Sequence, residues 1–331
     1  MENTIQCLLT RKFWDRDINY LKKNVASDVE FVFPDEYSTE GLIRKLFDNK
    51  IKIMLGDVPD EKVLNAAKYL ELIQIPWNGV EGLDFHLLEK FDFTVCNSHS
   101  NSISVAELAI GLMFSCIKQI PSHDKALRKG NWRRPGAADC EFPDLLYGKT
   151  VAIVGFGSVG QTIFKMLSGF NLTFIAVALH NKKFNGVPVF GPDKIHEVCS
   201  KADIIFISAP LTKKTYGLVN QNVFKSMKPR AYLINVGRAE IIEEESLYRA
   251  LKNKVIAGAA IDTWYVQPSR GVSISPVSRF VFNKLDNLVM SPHRGGMIRD
   301  ELLHLNDVVE NLNRFANGDN LINVINIKEG Y

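Results

Sequence analysis

The sequence predicts an α/β protein with parallel sheets, organised as about two domains. Three observations carry this. Short apolar runs alternate with segments whose apolar residues recur at helical spacing, the pattern of βαβ units. The alternation occurs as two series, one before residue 100 and one from Thr150 onward. The chain has 331 residues, and domains of ~150 residues make that two. Composition agrees: 46% hydrophobic and 23% charged residues match a globular protein and oppose disorder.

The elements follow in order. Ile5–Leu9 reads as a strand, and residues 29–33 as a second, stopped by Pro34. Ile51–Leu55 is a third, followed by Gly56-Asp57; residues 72–75 are a fourth, ended by Pro76. Residues 42–47 show helical spacing between them. Ser104-Val105-Ala106-Glu107 opens a helix that is mostly apolar over 108–117. A helix apolar this far round its surface is buried, in the domain or at a subunit interface. Residues 128–142 hold Gly, Pro and charges and read as a connecting loop. The second series has strands at Thr150–Val154, 174–177, 204–208, 232–236, 257–261 and 288–291. Residues 300–318 form an amphipathic helix that packs on something already built.

Charge and cysteine usage exclude several classes. Lys and Arg total 40 against 37 Asp and Glu, a net +3, which argues against a strongly basic nucleic-acid binder. No uninterrupted apolar run approaches the ~18–20 residues that span a bilayer. Met1-Glu2-Asn3-Thr4 lacks the basic start of a secretory signal. The five cysteines are odd in number, widely spaced and form no CxxC pair. The expectation is a reduced cytoplasmic protein with small buried thiols, no disulfide framework and no metal site.

Gly155-Phe156-Gly157-Ser158-Val159-Gly160 is a GxGxxG. The pattern alone is weak; here a strand precedes it and a helical stretch, residues 161–167, follows. Strand, turn and helix make a dinucleotide cradle. Gly155 serves the tight turn, Gly157 the close approach to a pyrophosphate, and Gly160 helix–strand packing. Ser158 and Val159 place backbone N–H groups at the positive helix end. The acidic residue that accepts ribose hydroxyls in NAD-binding versions, about 20 residues on, is missing. The second strand runs instead into Ala178-Leu179-His180-Asn181-Lys182-Lys183. No carboxylate repels a 2′-phosphate there, and His180, Asn181, Lys182 and Lys183 suit one. NADP is expected in preference to NAD; a solvated basic loop that still accepts NAD is the alternative.

Three later segments each follow a strand: 233–239 with Asn235-Val236-Gly237-Arg238, 260–268 with Asp262 and Gln267, and 290–296 with Ser291-Pro292-His293-Arg294. Strand carboxyl ends are where open α/β sheets bind ligands. In these segments the chain resembles the D-isomer-specific 2-hydroxyacid dehydrogenases. Asn101-Ser102-Ile103-Ser104-Val105-Ala106-Glu107 is similar to the family's N-x-x-x-V-A-E. Ala209-Pro210-Leu211-Thr212 with Thr215 resembles its stretch beside the cofactor, 235–238 its N-x-x-R, and 291–293 its P-H segment.

The resemblance covers nearly the whole chain and implies two Rossmann/flavodoxin-like domains. It implies a substrate domain from 1–100 and 298–331, a dinucleotide domain over 101–297, and a catalytic cleft between them. It implies a homodimer through the cofactor domain and a small carboxylate substrate. It makes Arg238 the holder of the substrate carboxylate, for which a planar, bidentate guanidinium is suited. It makes His293 the acid/base at the carbinol oxygen. Asp262 would contact the nicotinamide carboxamide; a turn cap is its plainer role. Val236, Gly237, Ala209, Pro210 and Thr215 would border the cofactor. Asn78-Gly79-Val80 resembles the loop whose N–H groups bind the carboxylate; an ordinary turn is the alternative.

Two departures stand out. Most members carry Glu where this chain has Gln267. A neutral amide does not stabilise imidazolium by charge, and Arg294 adjoins the histidine. His293 is therefore expected to be mostly neutral at pH 7. The segment 262–268 is similar to that of NAD-dependent formate dehydrogenases, which also carry Gln there, so formate-like oxidation of a small anion is the alternative. A non-catalytic nucleotide sensor is a further one. If the substrate carries a second anionic group, Arg294 is a candidate to hold it; Arg133-Arg134 in the connecting loop would add to such a site, solvated loop arginines being their plainer reading.

Overall fold

A computed structural model of the chain describes residues 4–179, 184–269, 271–299 and 301–330. The chain divides into two units, Met1–Asn101 with Ile298–Tyr331, and Ser102–Met297.

The first unit holds a five-stranded, all-parallel sheet of β1 (Ile5–Leu9), β2 (Val29–Val32), β3 (Ile51–Leu55), β4 (Leu72–Gln74) and β5 (Thr94–Cys96). Its order is β2-β1-β3-β4-β5. Both faces are covered, so alternate side chains of one strand enter different cores. Cys7, Leu9, Ile53, Leu55 and Leu72 pack with Leu305, Val308 and Leu312 of the C-terminal segment. Leu8, Met54, Ile73 and Val95 pack with Leu42, Val63 and Leu64. The C-terminal segment is a 3₁₀ turn, Leu303–Leu305, then a helix, Asn306–Asn317, stopped by Gly318 at φ +73°. Only glycine adopts that left-handed cap without strain.

The second unit holds seven parallel strands: β6 (Thr150–Val154), β7 (Thr173–Val177), β8 (Val189–Phe190), β9 (Ile204–Ile207), β10 (Tyr232–Asn235), β11 (Gly258–Ile261) and β12 (Leu288–Met290). Their order is β12-β11-β10-β9-β6-β7-β8. The chain moves outward from β6 to β8, then crosses back to β9, so the direction of winding reverses between β6 and β9. The apolar helix runs Ser102–Ile117. Its Ala106, Ala109, Leu112 and Met113 pack with Val151, Ile153, Phe206 and Ile234. Ala152, Val154, Ile205, Ile207 and Leu233 form the other core with Val198, Val223 and Leu247. Among the described residues no single helix is long and apolar enough to cross a membrane.

Two strands depart from the sequence reading. β5 has three residues and β8 has two, too short to show a period. β8 is an edge strand set between Pro188 and Gly191, both strand breakers. The first two residues of the long helix, Ser102 and Ile103, are polar and exposed-apolar, so its apolar pattern begins after its hydrogen-bonded start.

Candidate active site

The glycine loop joins β6 to the helix Ser158–Leu167, at the reversal between β6 and β9. Gly155 sits at φ +92°, and a Cβ there would lie 2.2 Å from the Ala209 nitrogen. Its N–H donates to the Val177 carbonyl at 2.8 Å, and the Ser208 hydroxyl donates to its carbonyl at 2.8 Å. A Cβ at Gly160 would lie 2.3 Å from the Gly155 carbonyl oxygen, so the helix presses on the turn. A Cβ at Gly157 would meet no protein atom within 4 Å. Gly157 is the helix N-cap, no side chain caps it, and its carbonyl takes the first bond, from Gln161 N–H. The N–H groups of Ser158, Val159 and Gly160 thus precede the first intrahelical bond. Free donors, a positive dipole end and open approach at Gly157 fit a pyrophosphate.

β7 ends at Val177, and Ala178 donates its N–H to Phe190 at 2.9 Å. His180, Asn181, Lys182 and Lys183 lie outside the described residues. Ala209 is buried beside Gly155. The Thr215 hydroxyl donates to the Pro210 carbonyl at 2.7 Å and accepts from Thr212 N–H at 2.8 Å. It therefore staples its own loop, a role the sequence did not show. Val236 and Gly237 are buried, and a Cβ on Gly237 would lie 2.9 Å from the Ala209 carbonyl oxygen.

Arg238 follows β10, half-buried. Its turn is built by Asn235, which is 1% exposed. The Asn235 amide oxygen accepts from Gly237 N–H at 3.0 Å, and its amide donates to the Arg238 carbonyl at 3.1 Å. The guanidinium donates to the Gly237 carbonyl at 3.0 Å. Asn235 thus positions the arginine, and only its spacing in N-x-x-R signalled this.

Asp262 follows β11 and is 2% exposed. Its carboxylate accepts from the Ser291 hydroxyl, from Arg294 N–H at 2.8 Å and from Gly295 N–H at 3.0 Å. Its own carbonyl accepts from His293 N–H at 2.9 Å. These bonds clasp the turn after β12, in which His293 adopts φ +55°. The Trp264 indole donates to the Ser291 carbonyl at 2.9 Å and closes the clasp. The plainer reading of Asp262, a turn cap, is what the geometry contains. His293 itself is exposed at the turn.

Gln267 is exposed, and among the described residues no side-chain hydrogen bond joins it to His293. Arg294 gives its backbone N–H to the clasp, while its guanidinium donates to the Met297 sulfur at 2.7 Å. The Arg294 side chain is exposed and runs along its own loop. Arg133 is likewise engaged, donating to Ser122 at 2.8 Å and pairing with Asp139 and Glu141. Arg134 lies over the Trp132 ring.

In the first unit, Asn78-Gly79-Val80 follows β4. The Asn97 amide, 5% exposed, donates to the Asn78 carbonyl at 2.7 Å. Ser98 N–H donates to the Trp77 carbonyl at 3.1 Å. The Gln74 amide donates to the carbonyls of Ile75 at 3.0 Å and Asn97 at 3.3 Å; its oxygen accepts from Asn311 at 2.7 Å. This buried chain anchors the loop, and no local motif announced it. Among the described residues no hydrogen bond takes up the N–H groups of Gly79 and Val80. There is no cluster of three or more metal-ligating side chains among the described residues.

Comparison with known proteins identifies the family and the fold. The family profile described as D-isomer specific 2-hydroxyacid dehydrogenase, NAD binding domain, matches residues 110–295. The glyoxylate reductase of Thermococcus onnurineus is 30% identical over 97% of this chain and 97% of its own length. The D-3-phosphoglycerate dehydrogenase of Methanocaldococcus jannaschii is 30% identical over 87% of this chain but only 54% of its own. The fold matches the NADPH-dependent glyoxylate/hydroxypyruvate reductase of Sinorhizobium meliloti, solved with NADP and malonate, at TM-score 0.76 and 23% identity, covering 98% of each chain. A probable 2-hydroxyacid dehydrogenase of Rhizobium etli, solved with NADP, matches at TM-score 0.79 and 20% identity over 99% of each. The chain belongs to the D-isomer specific 2-hydroxyacid dehydrogenase family of NAD(P)-dependent oxidoreductases.

Proposed function

We propose that the protein reduces a small 2-oxo acid, of the glyoxylate, hydroxypyruvate or phosphoglycerate type, to the D-2-hydroxy acid, using NADPH in preference to NADH. The observation that carries this is one arrangement in the second unit. The carboxyl ends of β6, β10 and β12 bear an open pyrophosphate cradle, an arginine set by Asn235 and a histidine set by Asp262.

Gly155, Gly157, Ser158, Val159 and Gly160 hold the dinucleotide's pyrophosphate, with Ala209, Pro210, Val236 and Gly237 bordering it. When bound, the nicotinamide supplies the hydride. Arg238 binds the substrate carboxylate and polarises the carbonyl oxygen; a guanidinium does both without losing its proton. Developing charge on that oxygen meets a preorganised cation. His293 gives the proton to the same oxygen. Within the first unit, Gly79 and Val80 offer backbone N–H donors of the kind that bind a carboxylate. Gln267 removes the carboxylate partner that most relatives place there, so nothing at that position binds imidazolium by charge.

The cofactor preference rests on residues 178–183, which carry no carboxylate and two lysines. A homodimer is part of the proposal. Trp132, Phe142, Leu145 and Tyr147 are all exposed along the segment after helix Ile120–Leu127, and such a patch suits a second copy. Five free cysteines, four of them buried, accord with the reducing cytoplasm.

The test is oxidation of NADPH and NADH with a panel of 2-oxo acids, together with formate and NADP or NAD in the opposite direction. Reduction of a 2-oxo acid, faster with NADPH, is expected. Turnover of formate alone would replace the reading with anion oxidation, the chemistry Gln267 favours. Faster turnover with NADH would overturn the cofactor preference only.

A further inference from the structure

Asp262 does not hold the turn after β12 alone. Residues 294–297 close on themselves, Met297 N–H donating to the Arg294 carbonyl at 3.0 Å. Gly295 lies inside that turn and is buried. Its N–H is held by Asp262, and its carbonyl accepts from the Ser104 hydroxyl at 2.7 Å. Four successive peptide units, from Pro292–His293 to Gly295–Gly296, thus carry one such bond each. Asp262 takes the N–H groups of His293, Arg294 and Gly295, and Ser104 holds the Gly295 carbonyl. Ser104 stands in the first turn of the helix Ser102–Ile117. The fit there is close: a Cβ on Gly295 would lie 3.3 Å from an Asp262 carboxylate oxygen and 3.4 Å from a Val105 methyl carbon. Val105 packs against the core between that helix and the sheet.

We infer that Ser104 is a positioning residue for His293, acting through the Gly295 carbonyl. It rests on the proposed role of His293 as proton donor. His293 lies two residues before Gly295 at φ +55°, a left-handed conformation that an L residue holds only under constraint. Asp262, Ser291 and Trp264 supply part of that constraint, and all three follow the neighbouring strands β11 and β12. They fix the turn to the strand ends. Ser104 fixes it to something else, a helix seated on the sheet by Ala106, Ala109, Leu112 and Met113. A hydrogen bond is directional, so this one sets the rotation of the Gly295–Gly296 peptide about the strand ends and, through it, the direction of the chain at His293. The helix itself gains nothing from the hydroxyl, since serine is a poorer helix former than alanine.

The experiment measures the single-turnover rate of NADPH oxidation with saturating glyoxylate or hydroxypyruvate, in H2O and in D2O. It compares the full-length wild type, Ser104→Ala and Ser104→Thr. Ser104→Ala is expected to lower the rate about three- to tenfold, the worth of one buried hydrogen bond. The NADPH dissociation constant is expected to stay within about twofold. The solvent isotope effect is expected to rise, because a displaced imidazole makes proton transfer more nearly rate-limiting. Ser104→Thr keeps a hydroxyl and is expected to recover most of the wild-type rate. Trypsin cleavage after Arg294, read by fragment mass, is expected to accelerate in Ser104→Ala and not in Ser104→Thr. An unchanged rate in Ser104→Ala, or a lower rate with an unchanged solvent isotope effect, would leave Ser104 a structural residue and overturn the inference alone. Unchanged cleavage after Arg294 would overturn it independently of any turnover. No turnover of any 2-oxo acid by the wild type overturns the reading of His293 and this inference with it.

Discussion

Ser291→Ala isolates the clasp that sets His293. Ser291 is 8% exposed and its hydroxyl donates to the buried Asp262 carboxylate. Removing it deletes one charge-assisted bond while keeping the two backbone bonds from Arg294 and Gly295. Such a bond contributes about 1.5–3 kcal/mol. The left-handed φ of His293 costs about 1–2 kcal/mol for an L residue. The two are of the same size, so losing the bond loosens the turn without unfolding the unit. At 1.36 kcal/mol per factor of ten, a proton donor displaced by this loss lowers kcat by roughly 10–100-fold. Ser291→Thr retains a hydroxyl and is expected to retain most of the rate. Trypsin supplies an activity-free readout, because the Gly295 N–H of the Arg294–Gly295 bond is held by Asp262. Cleavage after Arg294 is expected to accelerate in Ser291→Ala and in Asp262→Asn. The dissociation constant of NADPH, by fluorescence titration, is expected to stay within about twofold, since Asp262 acts through the turn. Unchanged kcat and unchanged cleavage, with weakened NADPH binding, would refute the clasp and return Asp262 to a cofactor contact.

Gly155→Ala is expected to destabilise the second unit by about 2 kcal/mol or more, from a positive φ and a 2.2 Å overlap. Gly157→Ala is expected to change stability by less than about 0.5 kcal/mol yet weaken NADPH binding; urea unfolding and fluorescence titration separate the two. His99 and His304 are held below the ordinary histidine range, first by burial, opposed by Asp307 and Asp17 respectively. Their neutral forms stabilise the fold, so their contribution is complete above about pH 6.5 and is lost as pH falls below it. Urea midpoints should therefore drop from about pH 7 downward, less steeply in a His99→Gln/His304→Gln variant. Burial pushes the thiols of Cys96, Cys116 and Cys199 up to about 12 and raises that of Cys7. Cys140 alone is partly exposed, so an aromatic disulfide reagent should modify one thiol rapidly in the native protein.

The glycine cradle was legible because each glycine answers a backbone demand that sequence order already states: turn, close approach, packing. The strands of both sheets were legible where they are buried on both faces, since a continuous apolar run of four or five residues is distinctive. β5 and β8 were not, because three and two residues carry no period. The clasp was illegible for another reason. Asp262 and Ser291 are separated by 29 positions and meet only because β11 and β12 are sheet neighbours. Ser104 meets Gly295 in the same way, 191 positions on, because its helix packs on that sheet. Thr215 shows the converse: a motif residue whose hydroxyl is consumed by its own loop. The Gln267 departure was visible in the sequence, whereas the direction of the Arg294 side chain was not.

The central claim is that Arg238, set by Asn235, presents a 2-oxo acid to a bound nicotinamide. It is tested most directly with NADPH deuterated at the transferable position of the nicotinamide ring, glyoxylate or hydroxypyruvate, and wild type beside Arg238→Lys. The account predicts deuterium at C2 of the hydroxy acid formed by wild type. It predicts a kcat/KM in Arg238→Lys lower by about 100-fold or more, because an ammonium lacks the bidentate fork. NADPH binding should be retained in the variant. Wild-type turnover undiminished by Arg238→Lys, or product without deuterium at C2, would contradict it.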